Sequence, residues 1–515
     1  MPTEEIFISD ELAVAYVKTA ACFDASVSEA LEDLEKLAEP VPFEAPKPPD
    51  INPPLNAKEN RVLGKLNKVP GLVLAHGLGT GKTRTSIQVA KHLGQSTDVV
   101  VPAALQDNYK KELNKWLGKV PSNFTVESQQ GAAVSGLKAP NAGTMVVDEA
   151  HRARDPQSKL MQSLRQSTAQ KRLLLTASPV YNHPSDIAPL VNLAANKRVL
   201  PEGRNEFGHE FIKDEKVSPG ILGSLMGISS GQQQVLQDVP KLRNAIKNYV
   251  DYEPGLSEGF PSSTEQTIKV PLGNSQQDIY KTIMGKAPFW MRWKVKQGLP
   301  PNRQELQPLQ AFLTGARQVS NSTYDFVSDR KKAEMPKIRA AEGYLRKQLA
   351  SNPNYKGVVY SNYLNSGLAP YKDLLTKHNI PYGEFSGEMA PNVRSQTIKD
   401  YNANKLRALL ISSAGAEGLD LKGTRLLQIL EPHFNREKEK QIVGRAIRYQ
   451  SHAGLPPQEQ NVHIQRYLSQ PKGSWLDRLL GKDTVRGTDE YISDLADRKE
   501  KLNQQLLQQV AKYGS

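Results

Sequence analysis

The stretch Gly71-Leu-Val-Leu-Ala-His-Gly-Leu-Gly-Thr-Gly-Lys-Thr83 joins an apolar run, a glycine-rich loop and a helical pattern that continues to Leu93. The run at its start is apolar at every position, which is typical of a strand covered on both faces and therefore of a parallel sheet. Glycines let backbone amides approach a phosphate, and the N-terminus of the following helix attracts negative charge. The stretch therefore predicts a strand, a phosphate-binding loop and a helix, the first unit of an α/β domain.

Two side chains at the end of this loop complete the predicted nucleotide site. Lys82 is placed to reach the β and γ phosphates of a nucleotide, and the Thr83 hydroxyl is placed to ligate Mg²⁺. The first position of the motif template is glycine, and this chain has His76 there. We predict that the following loop residues bind the nucleotide: Gly77, Gly79, Thr80, Gly81, Lys82 and Thr83.

A pair of carboxylates follows a second apolar run, Thr144-Met-Val-Val147. Asp148 ends the predicted strand, where it is suited to hold Mg²⁺, and Glu149 is placed to polarise the attacking water. The alternative is an acidic pair that starts a helix. His151 completes the tetrad and is predicted to couple the nucleotide state to another part of the chain, with a surface histidine as the alternative.

Two arginines lie nearly 300 residues further on, in Gln441-Ile-Val-Gly-Arg-Ala-Ile-Arg448. Gln441 lies four residues before Arg445, and Arg448 lies three after it, so one helix face is predicted to carry all three. Arginines delivered by a second lobe would clamp the γ-phosphate only when an interlobe cleft closes. An ordinary basic helix is the alternative for this segment alone.

Apolar runs of the same kind occur in two groups, which predicts two RecA-like parallel-sheet lobes in an α/β fold. The runs of the second group are Gly357–Tyr360, Arg407–Ile411, Arg425–Leu430 and Val462–Ile464. The segment between the groups lacks a strand rhythm and is predicted to be a helical insertion. A C-terminal amphipathic helix is predicted to brace the lobes. The predicted domains are an acidic helical N-terminal segment (1–38), a proline-rich linker (39–54), lobe 1 (55–195), the helical insertion (196–334), lobe 2 (335–470) and the brace (471–515).

The composition is that of a soluble globular protein, with 515 residues, 38% hydrophobic and 23% charged. No apolar run approaches the roughly 18 residues of a membrane span, and the first 20 residues lack a secretory signal, so a cytoplasmic protein is expected. The single cysteine, Cys22, excludes an internal disulfide.

The net charge of +13 is unevenly distributed along the chain. Residues 1–50 contain twelve acidic side chains and three lysines, a net charge of −9, which leaves about +22 on the rest. A positive charge of this size suits a polyanionic partner such as nucleic acid, because basic side chains that neutralise its phosphates release counterions and so favour binding. The acidic segment is a candidate docking element for a protein partner.

These motifs together resemble superfamily 2 helicase-like ATPases, and among them the Swi/Snf-type DNA translocases. The arginine segment through Pro456 is most similar to the nucleoside triphosphatase branch of large DNA viruses and phages, which implies a virus- or phage-encoded protein. The resemblance extends from about Leu55 to Gln508. It rests further on these stretches: Val100–Tyr109 with Trp116, Leu175–Asn182, Val359–Asn362, Gly387–Arg394, Ser412–Leu421 and Asp489–Leu502.

The resemblance implies roles for residues outside the three motifs. Asp148–His151 corresponds to a DEAH-type box with ATP and Mg²⁺ as cofactors, and Gly418 and Asp420 are implied on the nucleotide. Thr176 and Ser178 are implied, with His151, in coupling the two lobes. The residues implied in nucleic-acid contact are Asn108, Lys110, Ser361, Asn362, Ser412 and Ser413.

The chain departs from this family at two places. Where relatives carry an adenine-reading glutamine, it has Leu55-Asn-Ala-Lys-Glu-Asn60, with Glu59 at the nearest register. The second-lobe glycine motif is Ala414-Gly-Ala-Glu-Gly418, with alanine and glutamate where relatives often keep glycine or arginine. The first departure leaves the nucleotide preference open, and the second implies altered coupling to DNA.

The implied function is a nucleic-acid-stimulated ATPase that translocates on DNA, with duplex DNA as the expected partner. The alternatives are a strand-separating DNA or RNA helicase and an ATP-switched subunit of a viral transcription or packaging assembly. The insertion also contains Lys286-Ala-Pro-Phe-Trp-Met-Arg-Trp-Lys-Val-Lys296. These interleaved aromatic and basic residues suit either a hydrophobic anchor, which we favour, or base stacking.

Overall fold

The structure, a computed structural model, describes residues 51–514 except 78, 256–258, 388, 413–419, 480 and 482. The predicted acidic segment and residues 39–50 of the predicted linker lie outside the described residues. In chain order the strands are β1 Gly71–His76, β2 Thr97–Val101, β3 Phe124–Ser128, β4 Thr144–Val147, β5 Lys171–Thr176, β6 Ile212–Val217, β7 Gly231–Leu236, β8 Val250–Glu253, β9 Ser262–Pro271, β10 Gly357–Ser361, β11 Tyr382–Phe385, β12 Ala408–Ser412, β13 Leu426–Ile429 and β14 Asn461–Gln470.

Helices surround these strands and connect them. In chain order they are α1 Ala57–Leu66, α2 Lys82–Leu93, α3 Gln106–Leu117, α4 Gln129–Ser135, α5 Lys159–Arg165, α6 Ile187–Ala195, α7 Arg204–Phe211, α8 Gly220–Leu225, α9 Val239–Ile246, α10 Asn274–Gly285, α11 Phe289–Gln297, α12 Leu306–Asn321, α13 Pro336–Ser351, α14 Ala369–Lys377, α15 Pro391–Asn402, α16 Arg436–Ala446, α17 Trp475–Leu479 and α18 Thr488–Gly514. Shorter turns are 3₁₀ at Ala103–Leu105, Ala150–Ala153, Pro184–Asp186, Arg330–Lys332 and Pro457–Glu459, and π-helical at Leu364–Leu368.

Lobe 1 is a six-stranded sheet in the order β3-β2-β4-β5-β1-β8, and all of its pairs are parallel. Its four central strands are buried along nearly their whole length, as their continuous apolar sequence predicts. Two hydrophobic clusters cover its faces; one includes α6 and the other α1 to α3. The prediction of a parallel α/β lobe here is confirmed.

Lobe 2 repeats this arrangement in the order β11-β12-β10-β13-β14-β9, again with parallel pairs throughout. The predicted strands near 357, 407, 425 and 462 correspond to β10, β12, β13 and β14. Hydrophobic clusters again cover both faces, one of them including α13 and α14. The prediction of two parallel-sheet lobes is confirmed.

The predicted helical insertion at 196–334 also contains four strands, β6 to β9, which the prediction missed. β8 extends the lobe 1 sheet, β9 extends the lobe 2 sheet, and β6 and β7 form an antiparallel hairpin. Helices α7 to α12 fit the predicted helical character, and α10 to α12 share a core of their own. The strands were missed because β9 is an exposed edge strand with polar residues, Ser262-Ser-Thr-Glu-Gln-Thr267, and edge strands lack the continuous apolar sequence of central ones.

The C-terminal helix α18 packs against both lobe 1 and the helical insertion. Leu506 and Val510 belong to the lobe 1 core, whereas Tyr491, Ile492 and Leu495 belong to the core of α10 to α12. One helix therefore joins two cores, that of lobe 1 and that of α10 to α12. Within the described residues, neither this helix nor any other is long and apolar enough to cross a membrane.

The aromatic and basic segment of the insertion forms α11, and most of its apolar side chains face inward. Met291 and Val295 are buried, and Trp290 packs against the same core. Trp293 lies against α8, so close that a Cβ on Gly223 would be 2.7 Å from its ring. The structure favours the anchor interpretation, with Phe289 left half-exposed.

Two buried carboxyl groups in lobe 1 generate a pH-dependent cost in stability. Asp98 on β2 lies two residues before Val100, whose register partner on β3 is Glu127, so the two carboxyls share a face. Both are 1% exposed. Burial and the adjacent Glu127 raise the pKa of Asp98 from 3.8 to about 8. The folded protein therefore holds a proton that the unfolded chain releases, and stability falls as the pH rises from about 4 to 8.

We expect Asp98→Asn to be more stable than the native chain by an amount that increases with pH. The difference in free energy of unfolding should increase by roughly 2–3 kcal/mol between pH 5.5 and 7.5, because each pH unit between the unfolded and folded pKa values is worth up to about 1.4 kcal/mol. Thermal unfolding at both pH values tests this. Asp278→Asn, which changes an exposed carboxylate on α10, is the control. A pH-independent difference for Asp98→Asn would contradict a proton held by Asp98 in the folded protein.

Candidate nucleotide site and interlobe cleft

The glycine-rich loop leaves β1 at the carboxyl edge of the lobe 1 sheet and enters α2. The Gly77 amide donates to the Glu253 carbonyl at 2.8 Å, and a Cβ on Gly77 would lie 2.3 Å from the Gly255 nitrogen. Only glycine fits this approach to the chain that follows β8. Gly81, which caps α2, has φ +74°, a left-handed conformation that glycine adopts without strain. Both glycines are therefore required by the path of the loop.

Lys82 spans the loop from the first turn of α2. Its ammonium donates to the carbonyls of His76 at 2.9 Å and Gly77 at 3.1 Å. Burial lowers the pKa of Lys82, and the charges of Glu149 and Asp148 oppose that shift. The cation is therefore close enough to both predicted acidic residues to feel their charges.

Asp148 and Glu149 follow β4 at the same edge. The Glu149 amide donates to Asp148 Oδ1 at 2.9 Å, and Glu149 has φ +48°, an uncommon conformation for a residue with a side chain. Burial, with the neighbouring Glu149 charge, raises the pKa of Asp148 to about 7. Ionising Asp148 beside the Glu149 carboxylate is costly, and a bound cation would offset that cost. Carboxylate and hydroxyl oxygens, here with Thr83, are donors that Mg²⁺ prefers.

The three predicted coupling residues meet in one cluster behind the carboxylates. His151 Nδ1 lies 3.2 Å from Thr176 Oγ1 and 3.4 Å from Glu149 Oε2. The Ser178 amide donates to the same threonine hydroxyl at 3.0 Å. The His151 ring stacks on Tyr181, with 5.5 Å between centroids and 1° between planes. The cluster thus links the predicted catalytic carboxylate to the segment after β5.

That segment contacts lobe 2 directly. Asn435 Nδ2 donates to Asn182 Oδ1, and Asn435 also caps α16 by accepting from the Glu437 amide at 2.9 Å. Asp186 Oδ2 holds the segment rigid by accepting from the amides of residues 181, 182 and 183. A cleft of about 490 Å³ separates the lobes beside this contact, and Gln441 lines it opposite His151.

The predicted arginines do not share one helix. Gln441 and Arg445 lie on α16, but the helix ends at Ala446 and Arg448 lies beyond it. Arg448 forms an ion pair of 2.9 Å with Asp420, the residue predicted on the nucleotide. The helix stops because Ile447 has extended backbone angles (φ −109°, ψ 92°) and the chain then turns, with Ser451 Oγ donating to the Arg448 carbonyl. The single-face prediction is therefore wrong for Arg448.

The residues predicted to contact nucleic acid fall into two groups. Asn108 and Lys110 are exposed on α3. Ser361 is fully buried and hydrogen-bonds Glu431 at 2.9 Å, and Asn362 donates to the same carboxylate. The Ser361 hydroxyl is therefore occupied inside lobe 2, contrary to that prediction. Ser412, at the end of β12, is 5% exposed. Ser413 and Gly418 lie outside the described residues.

The residues at 56–60, where relatives carry an adenine-reading glutamine, make structural contacts at the start of lobe 1. Glu59 is buried, accepts the Asn56 amide at 2.9 Å in a capping box, and pairs with Arg84 at 3.1 Å. Its carboxylate is committed to the start of α1. Its neighbour Lys58 instead donates to the Thr80 carbonyl of the glycine-rich loop. The segment supports the loop mechanically, a role that its sequence did not indicate.

A buried charge network behind the loop also escaped sequence analysis. His76 Nε2 donates to Asp251 on β8 at 2.7 Å, and Arg61 and Lys65 of α1 pair with the same carboxylate. Burial alone would raise the pKa of Asp251, but these three hydrogen bonds lower it to about 2. His76 stands where the motif template has glycine, and its side chain links the glycine-rich loop to the edge strand β8. No local pattern marks the pair, because its members lie 175 residues apart.

Two family models match the chain and together cover more than half of it. The SNF2-related domain matches residues 132–324, and the helicase conserved C-terminal domain matches residues 339–450. The chain belongs to the SNF2-related, helicase-like ATPases. It is an ATP hydrolase of superfamily 2, the enzyme class that its motifs imply.

Viral proteins are among the relatives of this SNF2-related ATPase. A protein of Acanthamoeba polyphaga mimivirus, described as a candidate ATP-dependent RNA helicase, is 29% identical over 445 residues, which is 84% of this chain and 91% of the relative. A termination factor NPH-I homologue of African swine fever virus (isolate Tick/South Africa/Pretoriuskop Pr4/1996) is 23% identical over 79% of this chain and 70% of the relative. The structure of the Sulfolobus solfataricus SWI2/SNF2 ATPase core in complex with dsDNA is 16% identical, with a TM-score of 0.34, covering 89% of this chain and 98% of that one.

The geometry predicts different defects for two substitutions in the nucleotide site. Lys82→Ala should weaken nucleotide binding, because it removes the cation beside the phosphates. Glu149→Gln should retain binding and lower turnover by about 100-fold or more, because it removes the group that orients water. Nucleotide titration and steady-state ATP hydrolysis separate the two effects. Lys405→Ala, on the surface of lobe 2, is the control, and normal turnover in Glu149→Gln would refute the role of Glu149.

Proposed function

We propose that this protein is a nucleic-acid-stimulated ATPase that translocates on duplex DNA. It uses ATP with Mg²⁺ as its substrate. The glycine-rich loop binds the phosphates, with Lys82 on the β and γ groups. Thr83 and Asp148 hold Mg²⁺, which neutralises phosphate charge when bound. Glu149 orients the attacking water.

The contact between Asn182 and Asn435 carries the coupling part of this proposal. It joins the segment after Thr176 to the N-cap of α16, the helix that carries Gln441 and Arg445. Through Thr176 and His151, a change at Glu149 shifts that helix. ATP hydrolysis and the relative position of the lobes are thereby linked, which alternating grip on nucleic acid requires.

Arg448 completes the site when the cleft closes. Its ion pair with Asp420 is exposed, with side-chain exposures of 37% and 63%. Exposed pairs of this kind contribute only about 0–1 kcal/mol, so a phosphate can replace Asp420 at little cost. Arg448 therefore acts as an arginine finger that moves from Asp420 to the phosphate, and Arg445 acts as an arginine finger held on α16.

The DNA track crosses the outer surface of lobe 1 at α3. Asn108 and Lys110 are exposed there, and beside them Arg84 and Lys115 stack on Trp116 with cation to ring-centroid distances of 4.7 and 4.8 Å. A cationic surface with hydrogen-bond donors suits a phosphate backbone and reads no sequence.

Two relatives favour testing RNA beside DNA. One is described as a candidate RNA helicase and another as a termination factor homologue. Strand separation would give a displaced product, whereas translocation alone would not. An ATP-switched subunit would bind nucleotide without nucleic-acid-stimulated turnover.

We expect basal ATP hydrolysis to rise several-fold with duplex DNA and less with single-stranded DNA or RNA. The arginines reach the phosphate only in the closed cleft, and nucleic acid bound to both lobes favours closure. Steady-state hydrolysis with the three nucleic acids, at two salt concentrations, measures this. Stimulation should fall as salt rises. Equal rates with and without each nucleic acid would overturn the proposal.

Arg445→Ala and Arg448→Ala should each retain nucleotide binding and lose turnover, by on the order of 10³-fold for a true finger. The matched control is Lys399→Ala, which removes an exposed cation from α15. If one variant alone loses turnover, only that arginine is the finger. Normal turnover in both would leave this segment an ordinary basic turn.

A further inference from the structure

A second cavity, of about 310 Å³, is lined by His183, the residue that follows Asn182 of the interlobe contact. Its walls come from five parts of the fold: His183, helix α7, the β6–β7 hairpin, the loop before α12, and α18 with Phe434 beside it. The volume is at the small end of the roughly 300–1,000 Å³ that small-molecule sites occupy. None of the motifs of the ATP site contributes to it.

Four cations line this cavity, and only one has a carboxylate partner among the described residues. Arg303 pairs with Asp214 at 2.7 Å, whereas Arg498 donates to the amide oxygen of Gln233 at 2.8 Å. Arg204 and Lys499 also line the cavity, and neither forms an ion pair with a carboxylate in the described part of the chain. With Asp214 as the only lining acid, the cavity has a net charge of +3.

The electrostatics of the walls agree with that count. Burial lowers the pKa of Lys499, and the charge of Arg204 lowers it further. Burial also lowers the pKa of His183 to about 3, with Arg204 contributing, so this histidine is neutral at pH 7. Each of these shifts is relieved by a negative charge placed between the cations.

The rest of the wall is apolar or carries amides. Leu306, Leu495, Leu502 and the ring of Phe434 form the apolar part. Asn205 and three consecutive glutamines, Gln232 to Gln234, add side-chain amides, which both donate and accept hydrogen bonds. Heterocyclic bases present donors and acceptors on their edges and an aromatic face for stacking.

We propose that this cavity binds a nucleoside monophosphate unit, with the phosphate between Arg204 and Lys499 and the base against Phe434 and the glutamine amides. The unit is supplied either by a free nucleotide or by the 5′-phosphorylated end of a nucleic-acid strand. The site is separate from the glycine-rich loop, so this proposal does not depend on the proposed ATPase function.

Occupancy of this site acts on the interlobe contact. His183 lies in the wall, and Asn182, the preceding residue, contacts Asn435 across the cleft. Asp186 holds both residues in one rigid turn through their amides. A ligand against His183 and α18 therefore restrains the same turn that connects the lobes.

Photolabelling of the full-length protein with 8-azido-AMP, followed by peptide mapping, tests the site directly. We expect labelled peptides from the cavity walls (204–211, 232–236, 300–306 or 495–502), distinct from any at the glycine-rich loop. Arg204→Gln/Lys499→Gln should reduce cavity labelling by about tenfold or more, the effect of one lost charge-assisted contact. It should leave labelling at the loop unchanged.

Arg198→Gln/Lys405→Gln removes two exposed cations elsewhere and serves as the matched control. Competition by unlabelled AMP identifies a free nucleotide as the source, and competition by a 5′-phosphorylated single strand alone identifies a strand end. Labelling confined to the glycine-rich loop would overturn the proposal. Equal cavity labelling in both double variants would do so as well, because the cations would then play no part.

Discussion

The parallel arrangement of the lobe 1 strands is the constraint on which the candidate site depends. Parallel strands end at the same edge of a sheet, so the chains that leave β1, β4, β5 and β8 meet there. The glycine-rich loop, the carboxylates at 148 and 149, and Thr176 come from three of these strands. The fourth, β8, supplies the Glu253 carbonyl that holds Gly77. No single loop builds the site, and any slip in strand order would disperse it.

A second consequence of this edge is that the chain to lobe 2 starts beside the phosphate loop. Gly77 approaches Gly255 too closely for a side chain, and eight residues separate the end of β8 from the start of β9. The helix α18 connects lobe 1 to lobe 2 through ion pairs with α13 and α16. Asp489 pairs with Lys337 of α13 at 2.8 Å, both buried, while Asp497 pairs with Arg436 of α16. Since losing one partner of a buried pair is costly, α18 gives the lobes a defined position from which to move.

Local pattern predicted the centre of each sheet well and its edges poorly. The strands that follow Pro70 and precede Asp148 are apolar throughout because helices cover both faces. β8 contains the buried Asp251 and β9 is largely polar, so neither resembles a covered strand. The candidate site divides in the same way. Residues within one motif, such as Lys82 and Glu149, were identified, whereas His76 with Asp251, and Arg448 with Asp420, depend on partners far away in the chain.

The sequence by itself determined the family and the class of chemistry, and it predicted the phosphate-binding and acidic residues. These properties are encoded in short motifs, because a few backbone amides and one or two side chains suffice to bind a phosphate. Only the tertiary structure decided that α16 stops before Arg448, that Ser361 is buried on Glu431, and that a basic cavity lies beside the coupling segment. Those features arise from contacts between residues tens to hundreds of positions apart, and local periodicity carries no information about which distant side chains meet.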